Sequence, residues 1–425
     1  MLEKIKNLLI VLLGLLMVVQ LGINLTLGLE DHNLLRLQDR LNLGNRTEQE
    51  SVTFSEPAIR PAKLTIRGPG GLYLAAGNDT ETLLTAVSPI LSEALGSVGK
   101  IEAITDRQFL TYLSGEHIGF SFTHAVPFYL LQHWWTGETG FSSDQSASTL
   151  AVVSDEGKVA LAFCDSASGR YYLAETAAGY ERFISQCESA PAGNAFYAFE
   201  QDGYHMLTAY EPVWSQSVWF PTYTAAVPDF SAEGGISEGL LSAFDINAFL
   251  AEVYKERDGD IVYIEGHTAL QFSKEGLILY SVTGDDGIDL EMESGLSEKE
   301  QQAYAARRAC EILERISASA GCGGGFSVAE ITARENGWVI AFERALGGGF
   351  ITETDGYSAV VTVERGRITG IRTRLSTATE GPAAMLLPIR LATALLDGGQ
   401  NGFWVRYTEQ DGVLVPDLFS TQGDR

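Results

Sequence analysis

Apolar residues recur along the chain with two different spacings, and the spacings predict alternating helices and strands. Spacing near 3.6 residues places apolar side chains on one helical face, whereas alternate apolar positions indicate a half-buried strand. The clearest helix begins at Ser297, where Ser297 and Glu300 form a capping-box pair, and it ends near Gly321. The other predicted helices begin at Asn78 or Asp79, Asp106, Pro127, Phe244 and Pro382, the last two running to Tyr254 and Asp397.

Paired alternating segments predict antiparallel hairpins between the helices. Asn336-Gly337 is the strongest short hairpin signal in the chain. Further pairs are predicted at Lys63–Arg67 with Gly71–Ala75, Leu150–Ser154 with Val159–Cys164, Phe196–Phe199 with Met206–Ala209, His267–Phe272 with Leu277–Val282, Tyr357–Val363 with Ile368–Arg374, and Phe403–Tyr407 with Val413–Val415. Helices alternating with hairpins predict an α+β fold of antiparallel sheets with packed helices.

One run near the N-terminus follows neither pattern, since Leu8 to Leu29 contains no charged residue. About 22 residues at roughly 1.5 Å each span the roughly 30 Å of bilayer hydrocarbon. Lys4 and Lys6 precede the run, whereas Glu30 and Asp31 follow it. Because positive flanks stay in the cytoplasm, we expect a single-pass cell-membrane anchor with a cytoplasmic N-terminus and an extracytoplasmic remainder.

A cleaved signal peptide is the alternative interpretation of this run. Its apolar region has about 7–15 residues and ends in a small-x-small cleavage site. The run here is longer, and Leu25-Thr26-Leu27 offers no such site. The sequence therefore favours an uncleaved transmembrane helix.

The remaining length is too great for one hydrophobic core and predicts several modules. The predicted segments are a transmembrane anchor at 1–30, a linker at 31–60, an N-terminal ectodomain module at 61–176, a middle module at 177–295 and a C-terminal module at 296–425.

Composition narrows the class of partner. The chain of 425 residues has a net charge of −26 and 45% hydrophobic residues, so it has ample material for folded cores. Nucleic acid binding needs a basic face, which this charge argues against. Four cysteines occur, with near-neighbour pairings Cys164–Cys187 and Cys310–Cys322 conceivable if the exterior oxidises them. Free thiols are the other possibility, and no CxxC spacing indicates zinc.

No catalytic, cofactor or metal motif emerges from the residues. There are six histidines but no HExxH, and there is no GxSxG for a serine hydrolase. Trp134-Trp135 beside His133 is compatible with a sugar site, although an aromatic core is the simpler interpretation. The sequence predicts a non-enzymatic protein without cofactors, with an anchored cell-wall enzyme or glycan-binding protein as the alternative.

Several local patterns together resemble the YycH/YycI family. They are Asp258-Gly259 before a strand, Leu270-Gln-Phe272, Gly276-Leu-Ile-Leu-Tyr280, the capped helix at 297, Ala359–Val363 with Gly366–Arg372, and Val405-Arg-Tyr407 with Leu414-Val-Pro416. The resemblance covers most of 61–425. It implies an extracytoplasmic regulator of the WalK (YycG) sensor histidine kinase of Gram-positive bacteria, acting in a two-component signal transduction system, with a paralogous regulator as a further possible partner.

The predicted membrane helix carries a polar face that fits such a role. Gln20 and Asn24 are four residues apart, and Leu13 and Met17 extend the same face. Lipid cannot satisfy a carboxamide, so this face is predicted to contact a helix of the kinase or of a paralogue. The alternative is that Gln20 and Asn24 lie near the outer interface and reach water.

Overall fold

The predicted strands assemble into two large sheets in the computed structural model. The structure describes residues 58–137, 145–230, 236–256, 259–284, 286–353, 356–394 and 402–420. The predicted anchor at 1–30 and residues 31–57 of the predicted linker lie outside these residues, as do Leu13, Met17, Gln20 and Asn24. Within the described part of the chain, no helix is long and apolar enough to cross a membrane.

The first sheet has nine strands in the order β3-β7-β6-β5-β4-β1-β2-β8-β9. Its strand pairs are antiparallel, and the β5–β6 hairpin turns at Glu156-Gly157, where both residues have positive φ. The strands are β1 (Lys63–Gly68), β2 (Gly71–Leu74), β3 (Ile101–Ile104), β4 (His117–Pro127), β5 (Ser146–Asp155), β6 (Lys158–Asp165), β7 (Arg170–Glu175), β8 (Ala195–Tyr197) and β9 (Pro212–Trp214).

The second sheet has fourteen strands, and its main path runs from β11 through β12-β13-β14-β20-β19-β17-β18-β22-β23-β10 to β21. Beside this path, β15 pairs with β20 and β16 pairs with β17. The strands are β10 (Trp219–Ala226), β11 (Glu252–Lys255), β12 (Ile261–Glu265), β13 (Thr268–Phe272), β14 (Leu277–Val282), β15 (Ile288–Asp289), β16 (Gly325–Arg334), β17 (Gly337–Leu346), β18 (Gly349–Ile351), β19 (Ala359–Glu364), β20 (Arg367–Arg374), β21 (Thr377–Met385), β22 (Phe403–Gln410) and β23 (Val413–Ser420).

Helices fill the space beside the sheets. They are α1 (Asp79–Gly96), α2 (Asp106–Ser114), α3 (Phe128–Thr136), α4 (Tyr180–Glu188), α5 (Glu238–Ala243), α6 (Glu298–Ser319) and α7 (Ile389–Thr393). The predicted capping box of α6 is confirmed, because Ser297 accepts the Glu300 N–H while the Glu300 carboxylate accepts the Ser297 N–H. Helix α3 packs against both α1 and α6, and α5 packs on α6. One buried cluster runs from Ala58 to Leu375 and joins these helices to both sheets.

The α+β prediction is confirmed, but one predicted helix is wrong and another begins later than predicted. The first was expected from Phe244 to Tyr254. Phe244 ends α5 and is fully buried, whereas Phe249 is 86% exposed, so the two do not share an apolar face. The chain turns after Asp245, which has a φ of 59°, and continues as strand β11.

The helix expected from Pro382 to Asp397 begins later than predicted, at Ile389 in α7, because Pro382 lies within strand β21. This strand ends the path of the second sheet, and its pairing with β10 shifts register between Pro221 and Tyr223. Proline is tolerated at such an irregularity on an edge strand, where no ladder hydrogen bond is lost. The hairpin expected at 196–209 is also wrong, since β8 pairs instead with β9.

The sheets do not follow the predicted module boundaries strand by strand. Strands β8 and β9 lie beyond residue 176 and extend the first sheet, whereas β10 to β14 lie before residue 295 and belong to the second. Residues 56–425 form one compact unit. The three-module division stays a prediction.

Candidate functional site

Large exposed apolar side chains gather at the two ends of the second sheet. At the β11 end they are Phe249, Leu250, Val253, Tyr254 and Ile264, and at the β21 end they are Trp219, Met385, Leu387 and Leu391. Isolated exposed apolar residues are normal, but clustered ones mark contact surfaces. The two ends are therefore the candidate interaction surfaces of the described residues.

Strand β11 forms one open edge of the sheet. Its four residues are all exposed, with Val253 at 55% and Tyr254 at 49%. On its inner side it pairs with β12, Val253 opposite Tyr263 and Tyr254 opposite Val262. The outer side has no neighbouring strand among the described residues, because β11 ends the sheet path.

The hydrogen-bond pattern of β11 follows from one bond beside it. Glu256 donates its N–H to the Asp260 carbonyl oxygen at 2.8 Å. The main-chain groups of residue 256 therefore point toward the β12 side of the hairpin. Successive residues of an antiparallel pair alternate in direction. Glu252 and Tyr254 therefore bond toward β12, whereas Val253 and Lys255 direct their N–H and C=O groups to the open edge.

The β11 hairpin is acidic. Between residues 252 and 265 the sequence has five acidic and two basic residues: Glu252, Glu256, Asp258, Asp260 and Glu265 against Lys255 and Arg257. Alternation along the strand places Glu252, Tyr254 and Glu256 on one face and Val253 and Lys255 on the other. Each face thus has its own chemistry.

The β21 end combines exposed side chains with a cavity. Trp219 lies opposite Met385 across β10 and β21, and they are 60% and 51% exposed. A cavity of about 460 Å³ lies nearby, with Tyr204, Trp214 and Leu387 among its lining residues.

Strand β3, at one end of the first sheet, is an edge of a different kind. The exposed side chains of Lys100 and Glu102 form an ion pair there. Glu175 on β7 donates its N–H to the Lys100 carbonyl oxygen, so Lys100 bonds toward β7. By alternation, Ala103, three residues on, directs its N–H away from β7. Charged side chains on an edge strand discourage pairing with another chain.

Buried polar groups inside the first sheet have structural partners. His117 Nδ1 lies 2.9 Å from the Gly115 carbonyl oxygen, and its Nε2 lies 2.6 Å from the Tyr197 hydroxyl. Burial lowers the pKa of His117 to about 3, and the Arg67 charge adds to this shift against the effect of the Gly115 hydrogen bond. Neutral His117 therefore donates from Nδ1 and accepts the Tyr197 proton at Nε2.

A second buried pair joins the two sheets. Lys63 on β1 forms a salt bridge with Glu211, and both side chains are nearly inaccessible to solvent. The Lys63 ammonium lies 4.2 Å from the Trp404 ring centre, and Glu211 also accepts the Phe403 N–H at 2.9 Å. These contacts hold β22 of the second sheet against β1, and the pair has no access to a substrate.

The candidate sugar site at Trp134-Trp135 is core, as the simpler interpretation predicted. Each tryptophan is 5% exposed, and the Trp134 indole N–H donates to the Ala303 carbonyl oxygen at 3.0 Å. His133 lines a cavity of about 520 Å³, but this cavity mixes arginine and glutamate side chains and favours neither ligand charge. Among the described residues, no cluster of His, Cys, Asp and Glu is arranged to hold a metal ion.

The cysteines are buried thiols in the structure. Cys310 donates to the Phe326 carbonyl oxygen at 3.5 Å, and Cys322 donates to that of Ala320 at 3.6 Å. Burial raises the pKa of Cys187 to about 12, with the nearby carboxylates of Glu116 and Glu188 adding to the shift. Such a thiol is a poor nucleophile.

Comparison with known proteins gives one clear likeness, at the level of fold. No protein-family model and no curated protein matches the sequence. The crystal structure of YycH from Bacillus subtilis superposes with a TM-score of 0.51 and 12% identity, covering 86% of this chain and 97% of that one. The chain has a YycH-like fold.

The β11 edge was missed at the level of sequence although a signal for it exists. Asp258-Gly259 lies between two segments rich in β-formers, Val253-Tyr254 and Val262–Ile264, and this is a hairpin pattern. The pairs 249–250 and 253–254 are four residues apart, so they also fit a helical face. The turn signal, rather than the spacing, identifies the strand.

Proposed function

We propose that this protein is a membrane-anchored, non-enzymatic regulator of a two-component sensor histidine kinase. The YycH-like fold carries the proposal, because the family resemblance in the sequence implies that function and the likeness extends over 86% of the chain. Regulation in this proposal works through contacts of the membrane helix and of the ectodomain, not through catalysis.

The described surface is consistent with a binding role. Clustered apolar side chains lie exposed at both ends of the second sheet, where a partner protein has access to them. The alternative of a glycan-binding protein has no support at Trp134 and Trp135, because both are buried in the core. No other observation favours a cell-wall enzyme.

The anchor and its polar face are the proposed route to the kinase. Residues 1–30 place the N-terminus in the cytoplasm and the ectodomain outside the cell membrane. Leu13, Met17, Gln20 and Asn24 form the face that contacts a helix of the kinase or of a paralogous regulator. This part of the proposal rests on the sequence.

The test is to replace Gln20 and Asn24 together by leucine in the full-length protein. Co-purification with the kinase and kinase autophosphorylation are measured in membranes. Interhelical hydrogen bonds average about 0.6 kcal/mol, so one bond changes the association constant about threefold. We expect weaker co-purification and a change in autophosphorylation, whose sign reports whether the regulator inhibits or supports the kinase.

Thr26→Leu is the matched control. At roughly 100° per residue, Thr26 lies on the side of the helix away from Gln20 and Asn24, so its replacement removes a polar group from the other face. We expect wild-type values for this variant. If the double variant stays in the membrane with both measurements unchanged, the helix face has no part in the mechanism. If the wild-type protein neither co-purifies with the kinase nor alters its activity, the function itself is wrong.

A further inference from the structure

We propose that the β11 edge, Glu252–Lys255, accepts an extended segment of another protein, which adds as a further strand and carries alternating basic and apolar residues. The inference concerns the chemistry of the partner segment. It stands whether or not that partner is a kinase, so it goes beyond the proposed function.

The main-chain geometry of β11 is suited to strand addition. Val253 and Lys255 direct their N–H and C=O groups outward, because the neighbouring residues bond to β12. An incoming antiparallel strand meets both residues with ladder hydrogen bonds. Main-chain bonds of this kind provide affinity in strand addition, and alternate side chains provide specificity.

The side chains of β11 leave this edge open. Proteins commonly protect edge strands with charges, proline or bulges. Strand β3 follows that rule at its centre, where Glu102 pairs with Lys100, whereas β11 has its charges, Glu252 and Lys255, at its ends and exposes Val253 and Tyr254 between them.

The two faces of β11 specify the chemistry of the partner. Glu252 and Glu256 flank Tyr254 on one face, so basic residues of the partner pair with the carboxylates and contact the tyrosine ring. Val253 and Lys255 are on the other face, where Val253 pairs with an apolar residue of the partner. A strand with lysine or arginine at alternate positions and apolar residues between them matches both faces.

A second copy of this chain fits the edge poorly. An antiparallel pair centred on Tyr254 places Glu252 opposite Glu256 of the other copy, and a pair centred on Lys255 places two lysines opposite each other. Like charges directly opposite are destabilising. A pair centred on Val253 needs the Ala251 N–H, which already donates to the Asn247 carbonyl oxygen at 3.0 Å. The acidic net charge of −26 further opposes self-association.

The experiment uses the full-length protein and a fluorescently labelled eight-residue peptide of alternating lysine and valine. Binding is measured by fluorescence anisotropy, with an alternating glutamate–valine peptide for comparison. We expect the basic peptide to bind and the acidic peptide to bind at least about tenfold more weakly. The acidic hairpin attracts the basic peptide and repels the acidic one.

Val253→Pro tests the strand itself. The substitution removes an N–H that points to the open edge, so the β11–β12 ladder keeps its hydrogen bonds. We expect the affinity for the basic peptide to fall about fivefold or more, because one hydrogen bond is lost and the proline ring obstructs the edge. Ala103→Pro is the matched control, because it makes the same change on the outward side of β3. It is expected to leave peptide binding unchanged.

Amide hydrogen exchange gives an independent readout that needs no variant. Peptide binding is expected to slow exchange at Lys255 in the wild-type protein and to leave Ala103 unaffected. Failure of the basic peptide to bind, equal binding of the acidic peptide, or wild-type affinity in Val253→Pro would each overturn the proposal. A dimer that Val253→Pro dissociates would show that the occupant is a second copy.

Discussion

The interior of the first sheet and the β11 edge of the second sheet differ in which groups have partners and which are exposed. Inside the first sheet, Lys63 pairs with Glu211, and His117 is held between Gly115 and Tyr197. At the β11 edge, Val253 and Tyr254 are exposed, and alternate main-chain groups point to solvent.

The difference separates what maintains the fold from what is available for contact. A buried charge or ring nitrogen that loses its partner lowers the free energy of unfolding. The interior groups are therefore needed for stability. An exposed edge contributes little to stability and can change without loss of fold. If this division is correct, substitutions inside the sheet alter unfolding and substitutions at the edge alter only association.

The largest effect is expected at the buried pair. Lys63→Met removes the partner of Glu211, whose carboxylate then stays buried without its countercharge. We expect a loss of about 3–5 kcal/mol in the free energy of unfolding, measured by chemical denaturation. Burial lowers the pKa of Lys63, and the neighbouring Glu211 carboxylate opposes that shift.

The double variant Lys63→Met with Glu211→Gln separates charge from packing. Glutamine keeps an oxygen that accepts the Phe403 N–H, but it needs no countercharge. We expect the double variant to recover most of the lost stability. Equal destabilisation of the single and double variants would show that the ammonium stabilises chiefly through the Trp404 ring.

The next effect is a dependence of stability on pH that originates at His117. Its pKa is lowered from 6.5 to about 3 in the folded protein because burial disfavours the charged ring. Between these values the unfolded chain binds a proton that the folded protein does not. The contribution of His117 is therefore fully present above pH 6.5 and is lost as the pH falls toward 3, by at most roughly 1.4 kcal/mol per pH unit.

The substitution His117→Asn removes the contribution of His117 to the pH dependence of stability. Asparagine retains a donor for the Gly115 carbonyl oxygen but does not titrate in this range. The difference in unfolding free energy between wild type and variant should shrink as the pH falls from 6.5 to 4. Other acid-labile groups, such as Glu343 with its lowered pKa, contribute to both proteins and cancel in the difference. A difference that is constant with pH would show that folding does not shift the pKa of His117.

Much of the fold was predictable from local signals. The capped helix at Ser297 appears as expected, because a capping box fixes the backbone within a few residues. The hairpin expected at Asn336-Gly337 also forms, but its turn is Glu335-Asn336, because Gly337 already pairs with Arg334. The joining of β10 to β21 and β23 was not predictable, since those strands are far apart in sequence and no local pattern encodes their pairing.

The candidate surface was harder to predict than the fold. The spacing of Phe244, Phe249 and Tyr254 predicts a helix, and apolar residues at helical spacing usually face a core rather than solvent. Exposure of apolar side chains at an edge depends on where the sheet ends, and that depends on long-range pairing. The membrane-helix residues Gln20 and Asn24 lie outside the described part of the chain, so their role stays a prediction.

The smallest effect on stability, and the sharpest test of the comparison, is expected at the two edges. Val253→Lys adds a charge to the open edge of β11 without removing a ladder bond, so the free energy of unfolding should change by no more than about 0.5 kcal/mol. Binding of an apolar fluorescent dye should fall, because Val253 contributes to the exposed apolar surface.

On β3, Glu102→Val makes the reverse change by removing one member of the ion pair with Lys100. That variant should bind more dye and sediment as larger species at high concentration, because an edge that charge protected becomes open to pairing. If Val253→Lys unfolds the protein, or if Glu102→Val leaves sedimentation unchanged, then side-chain charge is not what distinguishes the two edges.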